Sequence, residues 1–220
     1  MQEDWLGRWE EGRTGWHEPS GNAALQAYWP DLPAGTAVLV PLCGKSVDLR
    51  WLAERDLAVT GVELSRKAIE AFFSEQGLSR TMERHGTFDV YRADARPITL
   101  YRGDFFAFEA GPFDALFDRG ALIALPPGER PRYAQKLRQL LRPDAFKLVV
   151  TLEYEQSRAD GPPFSVLPGE MQRYWPDLER ISAENAIDDS PPKFRAAGLD
   201  SVIEAVWSSA APRGASSTSF

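Results

Sequence analysis

The sequence predicts an α/β fold in which a mostly parallel sheet is covered by helices. Short apolar runs bounded by turn residues alternate with segments of helical periodicity through the first half of the chain, which is the pattern of βα units. The apolar runs lack polar alternation, as expected for strands buried on both faces of a parallel sheet.

The first two βα units have the clearest boundaries. Residues 37–40 are apolar and lie between turn-rich segments, so they predict a buried strand, and 47–55 follow with a helical pattern. A second strand is predicted over 58–63. The helix after it, 66–76, is expected to begin after Ser65, a good N-cap, and to end before Gly77, since glycine is the common residue after a helix.

The second half of the chain continues the alternation and then changes direction. Residues 88–101 predict a β excursion with a polar turn, 113–118 a strand, 130–141 an amphipathic helix and 146–152 another strand. Two final strands over 178–187 and 199–207, with a helix at 192–197 between them, are expected to pair antiparallel. We predict one domain over 1–207, with an N-terminal helical lid over 1–35 and a disordered Ser-rich tail over 208–220.

Composition excludes several classes of protein. The 220 residues carry 25 Lys+Arg against 32 Asp+Glu, a net charge of −7, with one cysteine and two histidines. One cysteine cannot form an internal disulfide or a Cys-based zinc site, and two histidines disfavour a histidine-built metal centre. The acidic balance disfavours a broad nucleic acid grip, and no apolar run approaches the length of a membrane span. We therefore expect a cytoplasmic protein with no metal.

Tryptophan is concentrated at the N-terminus. Seven are present, and four of them, Trp5, Trp9, Trp16 and Trp29, lie within the first 30 residues. Trp5 and Trp9 are spaced i,i+4 and therefore share one helix face. Two interpretations stay open: a short helix packed on the domain by its rings, or a segment that covers a flat, adenine-bearing ligand.

An acid after the second strand indicates a nucleoside site. In an open parallel sheet, ligands bind at the carboxyl ends of the strands, and Glu63 follows Cys43 by 20 residues, a placement typical of a carboxylate that accepts from two ribose hydroxyls. The loop 41–46 contains only Gly44, whereas a pyrophosphate needs several glycines. A nucleoside without phosphates, such as S-adenosylmethionine, tolerates this bulkier loop.

Three further residues lie at predicted strand ends. Asp104 is placed either to contact an adenine amino group or to cap the segment that follows it. Arg119 is expected to have a site role, because an arginine at this edge needs an anionic partner, either Asp118 or a ligand carboxylate. Cys43 is interpreted as a small packed side chain, since no histidine lies near it in sequence.

The chain resembles the bacterial thiopurine S-methyltransferases, which are class I S-adenosylmethionine-dependent enzymes. The resemblance spans residues 5–207, and its most distinctive string is PLCGK in place of a glycine-rich loop. The strings that carry it, in order, are WLGRW (5–9), GWH (15–17), PLCGKSVDL (41–49), GVELS (61–65), GDFF (103–106), DRGAL (118–122) and GPPF (161–164).

The resemblance implies a Rossmann-like class I methyltransferase fold with a seven-stranded, mostly parallel sheet, an antiparallel last strand, helices on both faces and an N-terminal lid. It implies S-adenosylmethionine as cofactor, S-adenosylhomocysteine as product, and Arg119 near the methionyl or acceptor end. We expect Arg119 to be the catalytic residue, because its charge can stabilise a thiolate. The cofactor-binding residues that it implies are Trp9, Leu42, Glu63, Gly103, Asp104 and Arg119. It also places a basic residue of 193–195 near the acceptor.

The implied reaction is methyl transfer to the sulfur of an aromatic or heterocyclic thiol, or to selenium or tellurium compounds. From the charge and the lack of a long apolar run we expect neither nucleic acid nor membrane as partner, and nothing in the sequence demands more than a monomer. Two alternatives stay open. An NAD-dependent oxidoreductase shares the βαβ start and the acid, although the missing glycines and the antiparallel last strand disfavour it. A non-catalytic nucleoside-binding module would use the tryptophans as an interface.

Overall fold

A computed structural model describes residues 5–209 of the chain. These residues divide into two compact units, the first formed by 5–23 and 33–110, the second by 24–32 and 111–209. Of the predicted disordered tail, Ser208 is the last residue of a strand, and 210–220 lie outside the described residues.

The first unit contains five strands and three helices. The strands are β1 (Ala37–Pro41), β2 (Ala58–Glu63), β3 (Arg80–His85), β4 (Phe88–Ala93) and β5 (Ile98–Arg102), and the helices are α1 (Trp5–Glu10), α3 (Asp48–Ala53) and α4 (Arg66–Glu75). The strand order is β3-β4-β5-β2-β1. Strands β1, β2 and β5 pair in parallel, whereas β4 and β3 are antiparallel to their neighbours.

Sequence signals determine the ends of α4 as predicted. Ser65 has an extended backbone, and its side chain accepts a hydrogen bond from the backbone N–H of Ala68, which satisfies one of the donors left without a partner at a helix start. Gly77 follows the helix with φ +62°. The buried face of α4 consists of Ala68, Ile69, Phe72 and Phe73, whose spacing of three and four residues is that of an amphipathic helix.

The second unit contains four strands and five helices. The strands are β6 (Phe113–Asp118), β7 (Leu141–Glu153), β8 (Glu179–Asn185) and β9 (Ile203–Ser208), and the helices are α2 (Ala23–Tyr28), α5 (Ala121–Ala124), α6 (Arg130–Leu140), α7 (Pro168–Tyr174) and α8 (Pro192–Ala196). The strand order is β6-β7-β9-β8. Strand β7 is parallel to β6 and antiparallel to β9, which confirms the antiparallel last strand.

The described residues hold nine strands rather than the predicted seven. The strand that the sequence pattern misses is β3, in which all six residues are exposed. Because no face of β3 is buried, its sequence lacks the apolar alternation by which a strand is recognised. Its pairing with β4 defines it, supported by ion pairs of Arg84 with Asp89 and of Arg92 with Glu83.

Candidate functional site

The loop after β1 has an unusual backbone. Leu42 adopts φ +47° and Gly44 φ +55°, and a left-handed conformation is uncommon for a residue with a side chain. The loop is tied to the end of β2 because the backbone N–H of Cys43 donates to the carbonyl of Val62 at 3.1 Å. Non-glycine residues in such conformations cluster at ligand-binding sites.

The carboxylate of Glu63 lies buried beside this loop, at the end of β2. One oxygen, Oε2, accepts from the backbone N–H of Gly44 at 2.8 Å, and the other, Oε1, accepts from that of Ser65 at 2.7 Å. Burial raises the pKa of Glu63, and these backbone hydrogen bonds oppose the rise. A carboxylate offers about four lone pairs, so each oxygen of Glu63 can accept a second hydrogen bond from a diol.

Trp9 packs against the same loop. A Cβ atom at Gly44 would lie 3.1 Å from Cζ2 of Trp9, so any larger residue would press against the ring, which is buried. Trp16 packs edge-on against Trp9 and Trp5, with ring centroids 5.8 and 5.3 Å apart. Helix α1 therefore lies against the loop, and its role as a lid stays a prediction.

Gly103 and Asp104 follow β5. The backbone N–H of Gly103 donates to the carbonyl of Glu63 at 2.9 Å, which holds the backbone of the acid, and a Cβ at Gly103 would lie 2.4 Å from the ring of Phe88. Asp104 caps a 3-10 turn, since its Oδ1 accepts from the backbone N–H of Phe106 at 2.9 Å. The cap uses one carboxylate oxygen, and the contact of Asp104 with adenine stays a prediction.

Cys43 is a buried thiol. Burial, reinforced by the charge of Glu63, raises its pKa well above the ordinary value, so the side chain is protonated at neutral pH. Its Sγ would lie 2.7 Å from a Cβ at Gly61, a glycine in β2. This tight contact supports the interpretation of Cys43 as a packed side chain.

In the second unit, Arg119 lies on the turn between β6 and α5, and it is half-buried. Asp118 before it is 1% exposed. Its Oδ1 accepts from the backbone N–H groups of Ala121 and Leu122 at 3.0 and 3.3 Å, and its Oδ2 accepts from the hydroxyl of Tyr133 at 2.6 Å. Burial raises the pKa of Asp118 to about 6, and these three hydrogen bonds oppose the rise.

Two cationic side chains connect the proline-rich loop over 155–164 to helix α8 and to the residues that follow it. The ammonium of Lys193 donates to the carbonyls of Asp160 and, at 2.7 Å, Pro162. In return, Arg158 donates to the carbonyls of Ala197 and Gly198, which follow α8. Of the two basic residues in 193–195, Lys193 therefore binds the backbone of this loop, whereas Arg195 forms an exposed ion pair with Asp188; the proximity of either to the acceptor stays a prediction.

Arg130 is a buried arginine that links several segments of the chain, and the sequence pattern does not reveal this role. Its side chain is fully buried, yet it donates to the carbonyls of Leu125 and Ser165 at 3.0 Å each and to a carboxylate oxygen of Glu170 at 2.9 Å. It lines a cavity of about 630 Å³ together with Tyr154, Ser165 and Glu170. In the sequence, an arginine after Glu129 at a helix start has the signature of a surface charge, so no signal marks it.

The first unit thus brings together four of the expected cofactor-binding residues: Trp9, Leu42, Glu63 and Gly103. Asp104 follows Gly103 directly in the chain. Arg119 belongs to the second unit. Between residues 5 and 209, no group of three or more His, Cys, Asp or Glu side chains could hold a metal ion. Over the same stretch, none of the helices is both long and apolar enough to span a bilayer.

Several solved structures with a similar fold are methyltransferases. The 1,6-didemethyltoxoflavin-N1-methyltransferase of Burkholderia thailandensis, solved with 1,6-didemethyltoxoflavin and S-adenosylhomocysteine, superposes with a TM-score of 0.60 at 17% identity, over 94% of this chain and 85% of its own. An S-adenosylmethionine-dependent methyltransferase of Methanosarcina mazei gives 0.61 at 13% identity, over 86% and 97%. The fold is therefore the Rossmann-like class I methyltransferase fold.

Sequence comparison reaches further than the fold. The chain is 46% identical to the thiopurine S-methyltransferase of Pseudomonas putida over 210 residues, which cover 92% of this chain and 96% of the relative. It is also 46% identical to the thiopurine S-methyltransferase of Pseudomonas fluorescens over 214 residues, which cover 93% and 96%. The sequence model of the thiopurine S-methyltransferase family matches residues 1–211. The chain belongs to the thiopurine S-methyltransferase family.

Proposed function

We propose that this protein transfers the methyl group of S-adenosylmethionine to the sulfur of an aromatic or heterocyclic thiol. The observation that carries the proposal is the buried carboxylate of Glu63, fixed by the backbone N–H groups of Gly44 and Ser65. A carboxylate held in this way keeps one lone pair on each oxygen for the two ribose hydroxyls of the cofactor.

The residues of the first unit fit such a cofactor. Glu63 orients the ribose, and Leu42 lines the cofactor from the loop after β1. Gly103 and Asp104 border the adenine. Trp9 excludes water from the loop side, since its ring already lies against Gly44. The bound cofactor supplies an activated methyl group on a positively charged sulfur, so the protein needs no nucleophile or metal of its own.

Arg119 is the proposed catalytic residue. A heteroaromatic thiol is acidic enough to lose its proton without a strong base, and the guanidinium of Arg119 stabilises the resulting thiolate electrostatically. The remaining contribution is orientation of the two reactants, which provides roughly 7–11 kcal/mol in favourable cases. We extend the proposal to selenium and tellurium acceptors, which are soft nucleophiles like a thiolate.

We further propose that the protein acts as a cytoplasmic monomer without a metal ion and without nucleic acid or membrane as partner. The supporting observations are the acidic balance of the chain, its single cysteine and the small number of histidines. Size-exclusion chromatography with light scattering tests the oligomeric state, and a chelator that leaves turnover unchanged supports catalysis without a metal.

The proposal predicts that Glu63→Gln weakens the binding of S-adenosylhomocysteine at least about tenfold, which corresponds to about 1.4 kcal/mol. The amide nitrogen cannot accept, so one acceptor for the ribose is lost. Isothermal titration calorimetry measures the affinity, and Glu70→Gln, at an exposed carboxylate paired with Arg66 on α4, is the control. Unchanged affinity in Glu63→Gln would remove the ribose role.

Identification of the acceptor needs an assay of methyl transfer across a panel of aromatic thiols and of selenite-type and tellurite-type compounds. Methylation of at least one heteroaromatic thiol supports the proposal. Absence of transfer to every member of the panel, by a protein that binds S-adenosylhomocysteine, contradicts it. Binding of NAD in the same calorimeter, with no binding of S-adenosylhomocysteine, would point to an oxidoreductase.

A further inference from the structure

The turn that carries Arg119 is closed by a buried carboxylate. Oδ1 of Asp118 accepts from the backbone N–H groups of Ala121 and Leu122, the first two residues of α5. The two residues between them and Asp118 are Arg119 and Gly120, so the backbone on both sides of Arg119 is held by this side chain. No side chain of Gly120 assists, and the cap therefore depends on Asp118.

Tyr133 fixes the carboxylate itself. Its hydroxyl donates to Oδ2 of Asp118 at 2.6 Å, and both side chains are buried, at 0% and 1% exposure. Tyr133 lies in α6, whereas Asp118 ends β6 opposite Val149 of β7. Burial raises the pKa of the Tyr133 phenol well above its ordinary value, so the phenol keeps its proton at neutral pH and donates it to the carboxylate in the hydrogen bond.

Both oxygens of Asp118 are engaged by donors of the protein, and the side chain is shut off from solvent. A carboxylate in this state neither meets a substrate nor takes its proton, so any effect on the reaction passes through the residue that it holds. Orientation is sensitive at this level, because a misplacement of about 1 Å can cost on the order of a hundredfold in rate.

We propose that Asp118 and Tyr133 are positioning residues for Arg119: the tyrosine orients the buried carboxylate, and the carboxylate fixes the turn from which the guanidinium reaches its ligand. This inference rests on the proposed function, because that function gives the guanidinium of Arg119 its ligand. It adds to that function a hydrogen-bonded chain from α6 through β6 to the start of α5.

A double-mutant cycle between Tyr133→Phe and Arg119→Ala tests the inference. Two quantities are measured for each variant: kcat/KM for a heteroaromatic thiol, and the affinity for S-adenosylhomocysteine by calorimetry. We expect Tyr133→Phe to lower at least one of them about tenfold, and Arg119→Ala to lower the same quantity further. The double variant should equal Arg119→Ala within twofold, because the tyrosine then has no guanidinium to position.

The cap is tested through Asp118. Asp118→Asn keeps a side-chain oxygen that accepts from both backbone N–H groups, so it should retain at least a third of the wild-type value, whereas Asp118→Ala should lose about tenfold or more. Tyr174→Phe is the matched control, since it removes the hydroxyl of another buried tyrosine of the same unit, one that donates to Glu170 at 2.9 Å. It should leave both quantities unchanged within twofold.

The outcomes separate the inference from the function on which it rests. If the losses of Tyr133→Phe and Arg119→Ala multiply in the double variant, the positioning role is overturned while the methyltransferase function stands. If Tyr174→Phe is as damaging as Tyr133→Phe, the effect is general loosening of the unit, and the inference is likewise overturned. If Arg119→Ala changes neither quantity, the role of Arg119 in the proposed function fails, and the positioning role fails with it.

Discussion

The role of each buried carboxylate in this protein depends on the groups that donate hydrogen bonds to it. Glu63 and Asp118 are both buried carboxylates at strand ends whose oxygens accept from the protein. They differ in their donors. Glu63 accepts only from backbone N–H groups and keeps capacity for a ligand, whereas Asp118 also accepts from the hydroxyl of Tyr133 and serves the turn of its own chain.

Gly44 has two independent reasons to be glycine, and a matched substitution separates them. Gly44 and Gly77 share a positive φ, of +55° and +62°, but a Cβ would meet Trp9 at 3.1 Å only at Gly44 and nothing within 4 Å at Gly77. We expect both alanine variants to lose about 1–2 kcal/mol of unfolding free energy. Only Gly44→Ala should also shift tryptophan emission and weaken S-adenosylhomocysteine binding, about tenfold.

Urea unfolding, fluorescence and calorimetry on the two glycine variants check this expectation. An equal loss of affinity in Gly77→Ala would show that general destabilisation is responsible. Wild-type affinity in Gly44→Ala would show that the contact between Trp9 and the loop plays no part in binding.

The raised pKa of Asp118 makes a prediction about stability and pH. Its pKa in the native state, about 6, lies above the reference value of 3.8, so the native state holds this proton more tightly than the unfolded chain. The stabilisation that protonated Asp118 provides is therefore full below pH 4 and declines as the pH rises to about 6. Above that pH the contribution of Asp118 to the unfolding free energy no longer changes. The decline is roughly 3 kcal/mol, since one pKa unit is worth about 1.4 kcal/mol.

Asp118→Asn cannot titrate, so its unfolding free energy, relative to wild type, should rise by roughly 3 kcal/mol between pH 4 and pH 7. Urea unfolding of both proteins at intervals of one pH unit measures the difference. Parallel curves for the two proteins would mean that Asp118 keeps an ordinary pKa in the native state.

At the level of elements, Arg130 joins the start of α6 to Ser165, which follows the proline-rich loop, and to α7. Arg130→Ala should cost about 3–5 kcal/mol, because it strands Glu170 and two carbonyls that the guanidinium now satisfies. Arg142→Ala is the control: its ion pair with Asp114 is exposed, at 54% and 40% of the side chains, and such pairs contribute at most about 1 kcal/mol. Equal midpoints of urea unfolding for the two variants would contradict this.

The regular elements were predictable where one face is buried. Strands β1, β2 and β6 and helices α4 and α6 match the sequence pattern to within a residue or two. The misses have physical causes: β3 buries no residue, and α5 and α7 have four and seven residues, too few to show helical periodicity. Strand β7 begins earlier than predicted, at Leu141, because sheet pairing overrides the local sequence there.

For the molecule as a whole, ligand binding should appear as stability. S-adenosylhomocysteine at 100 times its Kd should add about 2.7 kcal/mol, which corresponds to roughly 5–10 °C in Tm for a chain of this size. NAD at the same concentration should leave Tm unchanged. A thermal melt with each compound decides between them, and a shift with NAD alone would contradict the assignment of the cofactor.

The candidate site was predictable in part. Glu63, the loop after β1 and Arg119 are visible in the sequence because strand ends in this fold class collect ligand-binding residues. The partners of these residues are not visible. Nothing in the sequence relates Tyr133 to Asp118 or Gly103 to the ring of Phe88, since those contacts exist only after distant segments have packed.

The burial of Cys43 bears on how this protein coexists with the compounds on which we propose it acts. Disulfide exchange requires a thiolate that a second sulfur compound can reach, and the only cysteine of the chain is both buried and held as a thiol. Thiols and their oxidised forms therefore find no partner for a mixed disulfide on the folded protein. The protein handles reactive sulfur without exposing a thiol of its own.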